Sequence, residues 1–166
     1  MSKHLKYTDF RTASYRNLYV CNHLLDNFDK CNNSNKQQIL HKIYYLSGYI
    51  IEFCYKYALF SQLVKYKTDN IYSIKDSGFQ KKWKEHNYRK LESLCQENKI
   101  IFSKDIPFLG KKITDKNLND LINNWDVQIR YSLNLTTSTV NLTQIEMKNL
   151  VILIEDILKK TTSKFH

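Results

Sequence analysis

The sequence predicts an all-α protein, an up-and-down bundle of four to five helices arranged around one long central helix. Only three glycines and one proline punctuate 166 residues, too little turn chemistry for an all-β fold built from hairpins. Apolar residues recur at alternating steps of four and three in Ile39, Ile43, Leu46, Ile50, Phe53, Tyr57, Phe60 and Val64, the spacing of one continuous helix face. A chain of this length fits a single domain, residues 1–166, and can bury a core without disulfide or metal staples.

The elements follow in order. Thr8 or Asp9 can cap a first helix whose inner side carries Ser14, Leu18, Cys21, Leu25 and Phe28, ending at the Asn/Ser-rich break of 31–35. The central helix, from about Asn35 to Lys67, spans roughly 45 Å at about 1.5 Å per residue and is the first helix's antiparallel neighbour. A third helix, from about Gly78 to Asn98, opens after Ser77 and turns Trp83, Leu91, Leu94 and Cys95 inward. A short fourth, Thr114 to Trp125, uses Leu118, Leu121, Ile122 and Trp125. The last opens at Thr143-x-x-Glu146, a capping box, and presents Met147, Leu150, Val151, Ile154, Ile157 and Leu158. Three longer connections remain, and the one holding Ile106-Pro107-Phe108-Leu109-Gly110 is a candidate lid or contact segment.

Several function classes drop out. Gly48, Gly78 and Gly110 are too scattered to build a phosphate cradle. Cys21, Cys31, Cys54 and Cys95 form no C-x-x-C pair and have no histidine at zinc-finger spacing, so neither metal nor cofactor is expected, and buried thiols in a reducing compartment are. Glu155 and Asp156 are adjacent, diverge by about 100° around a helix and read as a solvated face. The first six residues hold no apolar signal core and no stretch approaches about eighteen apolar residues, so a cytoplasmic protein without membrane partners is expected. A net charge of +10 draws polyanions, nucleic acid above all; a Lys- and Asn-rich chain from an A/T-rich coding sequence would carry the same charge for no functional reason.

The central helix embeds Tyr45, Gly48, Tyr49 and Glu52 on one stripe, with Lys56 four residues on. Glycine inside a helix costs up to about 1 kcal/mol relative to alanine. Either a tight crossing lies beside an ordinary Glu52–Lys56 surface pair, or a carboxylate sits in a polar groove. His86 stands among Lys81, Lys82, Lys84, Arg89 and Lys90, either as a functional imidazole or as a hydrogen-bonded core-edge residue. The same basic region interleaves Tyr66, Tyr72, Trp83, Tyr88 and Phe102, the mixture of cations and rings that a single-stranded RNA groove requires and that a solvated helix face also shows.

Three segments carry a resemblance. Tyr44-Tyr45-Leu46-x-Gly48-Tyr49-x-x-Glu52 followed by Lys56, then His86-Asn87-Tyr88-Arg89-Lys90-Leu91, then Trp125 to Arg130-Tyr131-Ser132 occur in an order and rough spacing that resemble stand-alone prokaryotic HEPN domains over about Thr8 to Leu158. The resemblance implies a helical bundle that dimerises through its helices, with a polar groove near the dimer axis. It further implies an RNA- or nucleotide-bearing partner, or a cognate toxin or antitoxin protein, in a toxin–antitoxin or phage-defence setting. Catalytic members are metal-independent endoribonucleases carrying Arg, four to six residues, then His.

This chain departs from that pattern, because no histidine follows Arg130 before His166. Arg16 and His23 do have six residues between them, but on the first helix. The site residues expected on these grounds are His86, Arg130 and Glu52 for proton transfer, phosphate contact and orientation, with Tyr131, Lys81, Lys82, Lys84, Arg89 and Lys90 on the nucleic acid. A non-catalytic dimerisation, antitoxin or adaptor module acting through helix packing is the alternative.

Overall fold

The computed structural model describes residues 4–63, 70, 71, 82, 84–131 and 142–166, with the backbone alone for Arg130 and Tyr131. Among these residues lie five α-helices: α1 (Tyr7–Asp26), α2 (Asn33–Gln62), α3 (Tyr88–Glu97), α4 (Lys116–Asn123) and α5 (Gln144–Lys164). The described residues contain no strand beyond an isolated bridge between Pro107 and Lys111. The protein is an all-α helical bundle, and no described helix is long and apolar enough to cross a membrane.

The helix α2 is the axis of the bundle. Its apolar seam meets α1 in an antiparallel pairing: Phe10 packs on Phe53 and Phe60 near one end, and the Cys21 thiol reaches the Ile43 carbonyl near the other. The seam does not exhaust the buried surface, however. Tyr44, Ile51, Tyr55, Ala58 and Leu59 lie off it and are buried as well, because α5 and the segments around α3 cover the remaining sides. A helix apolar nearly all round belongs at the centre of a core. Val64 and residues 65–67, which the spacing assigned to this helix, lie outside the described residues.

Caps set the other boundaries. The helix α1 starts one residue before the expected cap; Asp9 sits in its first turn and accepts the Lys6 amide N–H at 2.7 Å, where a carboxylate also complements the helix dipole. Asp115 caps α4 by accepting the Leu118 N–H, and the Thr143 hydroxyl accepts the Glu146 N–H at the start of α5. Glu146 directs a carboxylate oxygen to Asn117 of α4 at 3.0 Å.

The third helix requires correction. The expected run from about Gly78 to Asn98 is not one helix: Lys82 is helical, Glu85–Asn87 are not, and a separate helix begins at Tyr88. The cause is local: Glu85 Oε1 accepts both the His86 and Asn87 amide N–H groups, and the Asn87 side chain caps Lys90 N–H. Side-chain acceptors thus take the donors that a continuing helix would use. Ser77, Gly78, Lys81 and Trp83 lie outside the described residues.

The connection around Pro107 packs as part of the core. Ile106, Leu109 and Ile113 are buried, and Phe102 and Phe108 meet Tyr55 edge-on. Lys160 Nζ ties the segment to α5 by donating to the Asp105 carbonyl at 3.0 Å.

Gly48 marks the tightest crossing. A Cβ placed there would lie 2.0–2.2 Å from three atoms of the Trp125 ring, so the indole rests directly on the α2 backbone. In an open helix, Gly→Ala stabilises by up to about 1 kcal/mol. At position 48 the sign reverses: Gly48→Ala is expected to destabilise by about 1–3 kcal/mol through overpacking, measured as a lower urea midpoint at unchanged slope.

Candidate functional site

One turn beyond Gly48 on the same helix, Glu52 is fully buried and Lys56 is 2% exposed. The pair is therefore not a surface ion pair. Lys56 Nζ donates to Glu52 Oε1 at 2.6 Å, and the opposite oxygen, Oε2, lies 2.9 Å from His86 Nδ1. The ammonium also stands 5.9 Å from the Phe10 ring centroid. Burial pushes Lys56 below the ordinary lysine range, while the charge and hydrogen bond of Glu52 pull it back up. A buried carboxylate is tolerated only when its oxygens find donors, and here each oxygen has one.

The non-helical Glu85–Asn87 elbow delivers the imidazole. Burial raises the Glu85 carboxyl, but the Asn87 and His86 amides and Lys90 outweigh it and hold the group below its ordinary range. Lys90 Nζ lies 3.5 Å from Glu85 Oε2. Beyond the elbow, Tyr88 plunges inward, donates to the Gly48 carbonyl at 2.6 Å and stacks on Trp125 at 5.2 Å. Trp125 Nε1–H donates to the Tyr45 carbonyl, and Tyr49 meets both His86 and Trp125 edge-on. Gly48, Glu52, His86, Tyr88 and Trp125 thus occupy one place in the fold.

A carboxylate oxygen accepts hydrogen bonds, so Nδ1 of His86 carries the proton. In the neutral ring this leaves Nε2 with its lone pair free. The His86 side chain is 44% exposed, and its open edge faces a groove of about 610 Å³ between the elbow and the end of α4, lined among others by Lys84, Arg89, Asn124, Asp126 and Val127. Two described cations, Lys84 and Arg89, face two described acids, Glu85 and Asp126. The described charges of the lining are therefore balanced. The arrangement can hold a proton carrier in one orientation beside an anionic ligand.

The remaining expected residues fall as follows. The backbones of Arg130 and Tyr131 end the turn Val127–Tyr131, whose first residue lines the groove; their side chains lie outside the described residues, as do Lys81 and Ser132. Lys82 is half-buried and does not appear in the groove lining. Lys90 serves Glu85 rather than the groove lining. Arg16 and His23 are exposed on α1, with His23 stacked on Tyr19, and neither lines this groove. Tyr88 and Phe102, expected as base-stacking rings, are spent on the core: Tyr88 is buried against Trp125, and Phe102 packs on Tyr55 and Phe165. Among the described residues no group of three or more His, Cys, Asp or Glu could hold a metal ion.

Two contributors escaped the sequence reading. The Glu52–Lys56 spacing was visible, but not its burial; Glu85, which bends the chain to present His86, gave no signal beyond its charge. The chain matches no family model, and no curated protein and no solved structure is significantly similar to it.

The buried ion pair makes a distinct stability prediction. Lys56→Met strips the carboxylate of its internal cation and is expected to cost about 3–5 kcal/mol. Glu52→Leu combined with Lys56→Met removes both charges and should cost clearly less than the sum of the two single changes. Urea denaturation of the four proteins measures the non-additivity, and strictly additive losses would show that the two groups do not interact.

Proposed function

We propose that this chain is a HEPN-like RNA-binding protein that acts as a homodimer in a toxin–antitoxin or phage-defence setting, with the His86 groove as its nucleic-acid site. The observation that carries the reading is the imidazole itself, oriented by a buried Glu52–Lys56 pair at the wall of a groove that also presents Lys84 and Arg89. The resemblance of Tyr44–Lys56, His86–Leu91 and Trp125–Tyr131 to HEPN segments supports the same reading.

The described lining of the groove contains no serine, threonine or cysteine, and the hydroxyl of its one tyrosine, Tyr88, is buried and committed to the Gly48 carbonyl, so no described hydroxyl or thiol is placed for covalent catalysis. RNA brings its own nucleophile, the 2′-hydroxyl, and asks of the protein a proton acceptor and a cation for the phosphate. His86 Nε2 meets the first need, and Arg89 and Arg130 are the groups proposed for the second, with Tyr131 as the neighbour positioning Arg130. The alternative, a non-catalytic antitoxin or adaptor module, is favoured by one specific feature: Arg130 lacks a histidine at the family's spacing.

Fluorescence anisotropy with labelled single-stranded RNA tests the binding. His86→Ala and Arg89→Ala are each expected to weaken it about three- to tenfold, and Arg89→Ala should flatten the salt dependence by about one unit of slope. Unchanged affinity in both variants would remove RNA from the groove. Incubation of structured and unstructured RNA in chelator separates the two chemistries: 2′,3′-cyclic phosphate ends lost in His86→Ala identify cleavage, and intact RNA that still binds identifies the adaptor.

A further inference from the structure

On a different part of the molecule, the last turns of α5 and the segment 103–106 enclose a cleft of about 430 Å³ lined by Ser103, Asp105, Ile106, Lys159, Lys160, Ser163 and Lys164. Residues 159, 160, 163 and 164 fall on one face of α5, spaced at one, three and four residues. Three lysines and one aspartate line the cleft, and two of the lysines, Lys159 and Lys160, are ion-paired with Glu155 and Asp156 just outside it, which leaves Lys164 as the cation that no described carboxylate pairs. The described lining of the His86 groove holds two lysine or arginine cations and two acids.

The donors are held in place without being exhausted. An ammonium has three N–H groups. Lys160 spends two, on Asp156 Oδ2 at 2.9 Å and on the Asp105 carbonyl at 3.0 Å. Lys159 spends one on Glu155 at 2.5 Å. Lys164 spends one on Ser103 Oγ at 2.9 Å, a neutral partner, and among the described residues it pairs with no carboxylate. Ser103 Oγ accepts from Lys164 and so keeps its own hydrogen to donate, and Ser163 brings a second hydroxyl to the lining. Cations held by their neighbours and two hydroxyls, all lining one cavity with donors left over, match a tetrahedral oxyanion. Of the side chains in the lining, the Asp105 carboxylate alone opposes it.

We propose that this cleft is a phosphate-binding site, taking either a free phosphate or a backbone phosphodiester of a bound polynucleotide. The second source is structurally open. From the groove wall at Tyr88, ring contacts run through Tyr55 and Phe102 to Phe165 at the end of α5, each 5.4–6.3 Å between centroids. The rings join the walls of the two cavities through the core, and the salt slope of RNA binding reads whether one strand reaches both. The site itself does not rest on the RNA reading, because inorganic phosphate alone probes it.

The experiment titrates the isotopically labelled full chain with sodium phosphate, followed by amide NMR, against sodium chloride at matched ionic strength. Saturable shifts confined to Ser103–Ile106 and Lys159–Lys164 are expected, and Lys164→Ala and Lys164→Glu should weaken the apparent affinity at least about tenfold while circular dichroism stays unchanged. A second arm measures the salt slope of RNA binding in Lys164→Ala. A slope lower by about one unit assigns the cleft to a phosphodiester; an unchanged slope with intact phosphate titration assigns it to free phosphate. Phosphate binding without any RNA binding would sink the groove reading and leave the cleft standing. Shifts that chloride reproduces, or that spread evenly over the surface lysines, overturn the proposal.

Discussion

A carboxylate with no access to water governs this structure. Glu52 is fully buried on α2 and so can exist only where the rest of the chain supplies donors for both oxygens. One comes from its own helix, Lys56, a turn further on. The other has to be brought from elsewhere in sequence, and the residue that arrives is His86, thirty-four positions away. The shape of the elbow before α3 follows from that requirement. Glu85 gathers the His86 and Asn87 amides, and Asn87 caps the helix that leaves.

The same constraint explains why the neighbouring aromatic residues are buried rather than presented to a ligand. Trp125 lies flat on Gly48, Tyr88 lies flat on Trp125 and hydrogen-bonds the Gly48 carbonyl, and Tyr49 closes the edge against His86. These rings form a dry wall behind the imidazole, where low local dielectric strengthens its bond to Glu52. The surface left to a ligand is polar: the open side of His86, the amides at the end of α4, and a balanced set of charges. The cleft at the far end of α5 is lined instead by three lysines and one aspartate.

Much of the bundle was legible in the sequence because helix spacing and caps are local signals. The three- and four-residue steps along α2, the Thr143 cap of α5 and the Leu121–Ile122 face of α4 needed only neighbouring residues to be read, although α4 ends at Asn123 and leaves Trp125 outside it. The break at Glu85–Asn87 was not legible, since no glycine or proline announces it and it depends on side chains capturing backbone donors. Gly48 pointed to a close crossing but could not name Trp125 as its occupant. The burial of Glu52 and Lys56 was hidden for the same reason, because an i, i+4 acid–base pair reads alike on a wet face and in a core.

The most direct measurement is the tautomer of His86 at neutral to mildly alkaline pH, read from long-range proton–nitrogen NMR correlations of the imidazole. A ring bound to Glu52 through Nδ1 must show that nitrogen protonated and Nε2 bare, the reverse of the form a free histidine prefers, and the signature must vanish in Glu52→Leu. Protonation at Nε2 instead, or a rapidly exchanging mixture, would contradict the bond between the buried carboxylate and the groove.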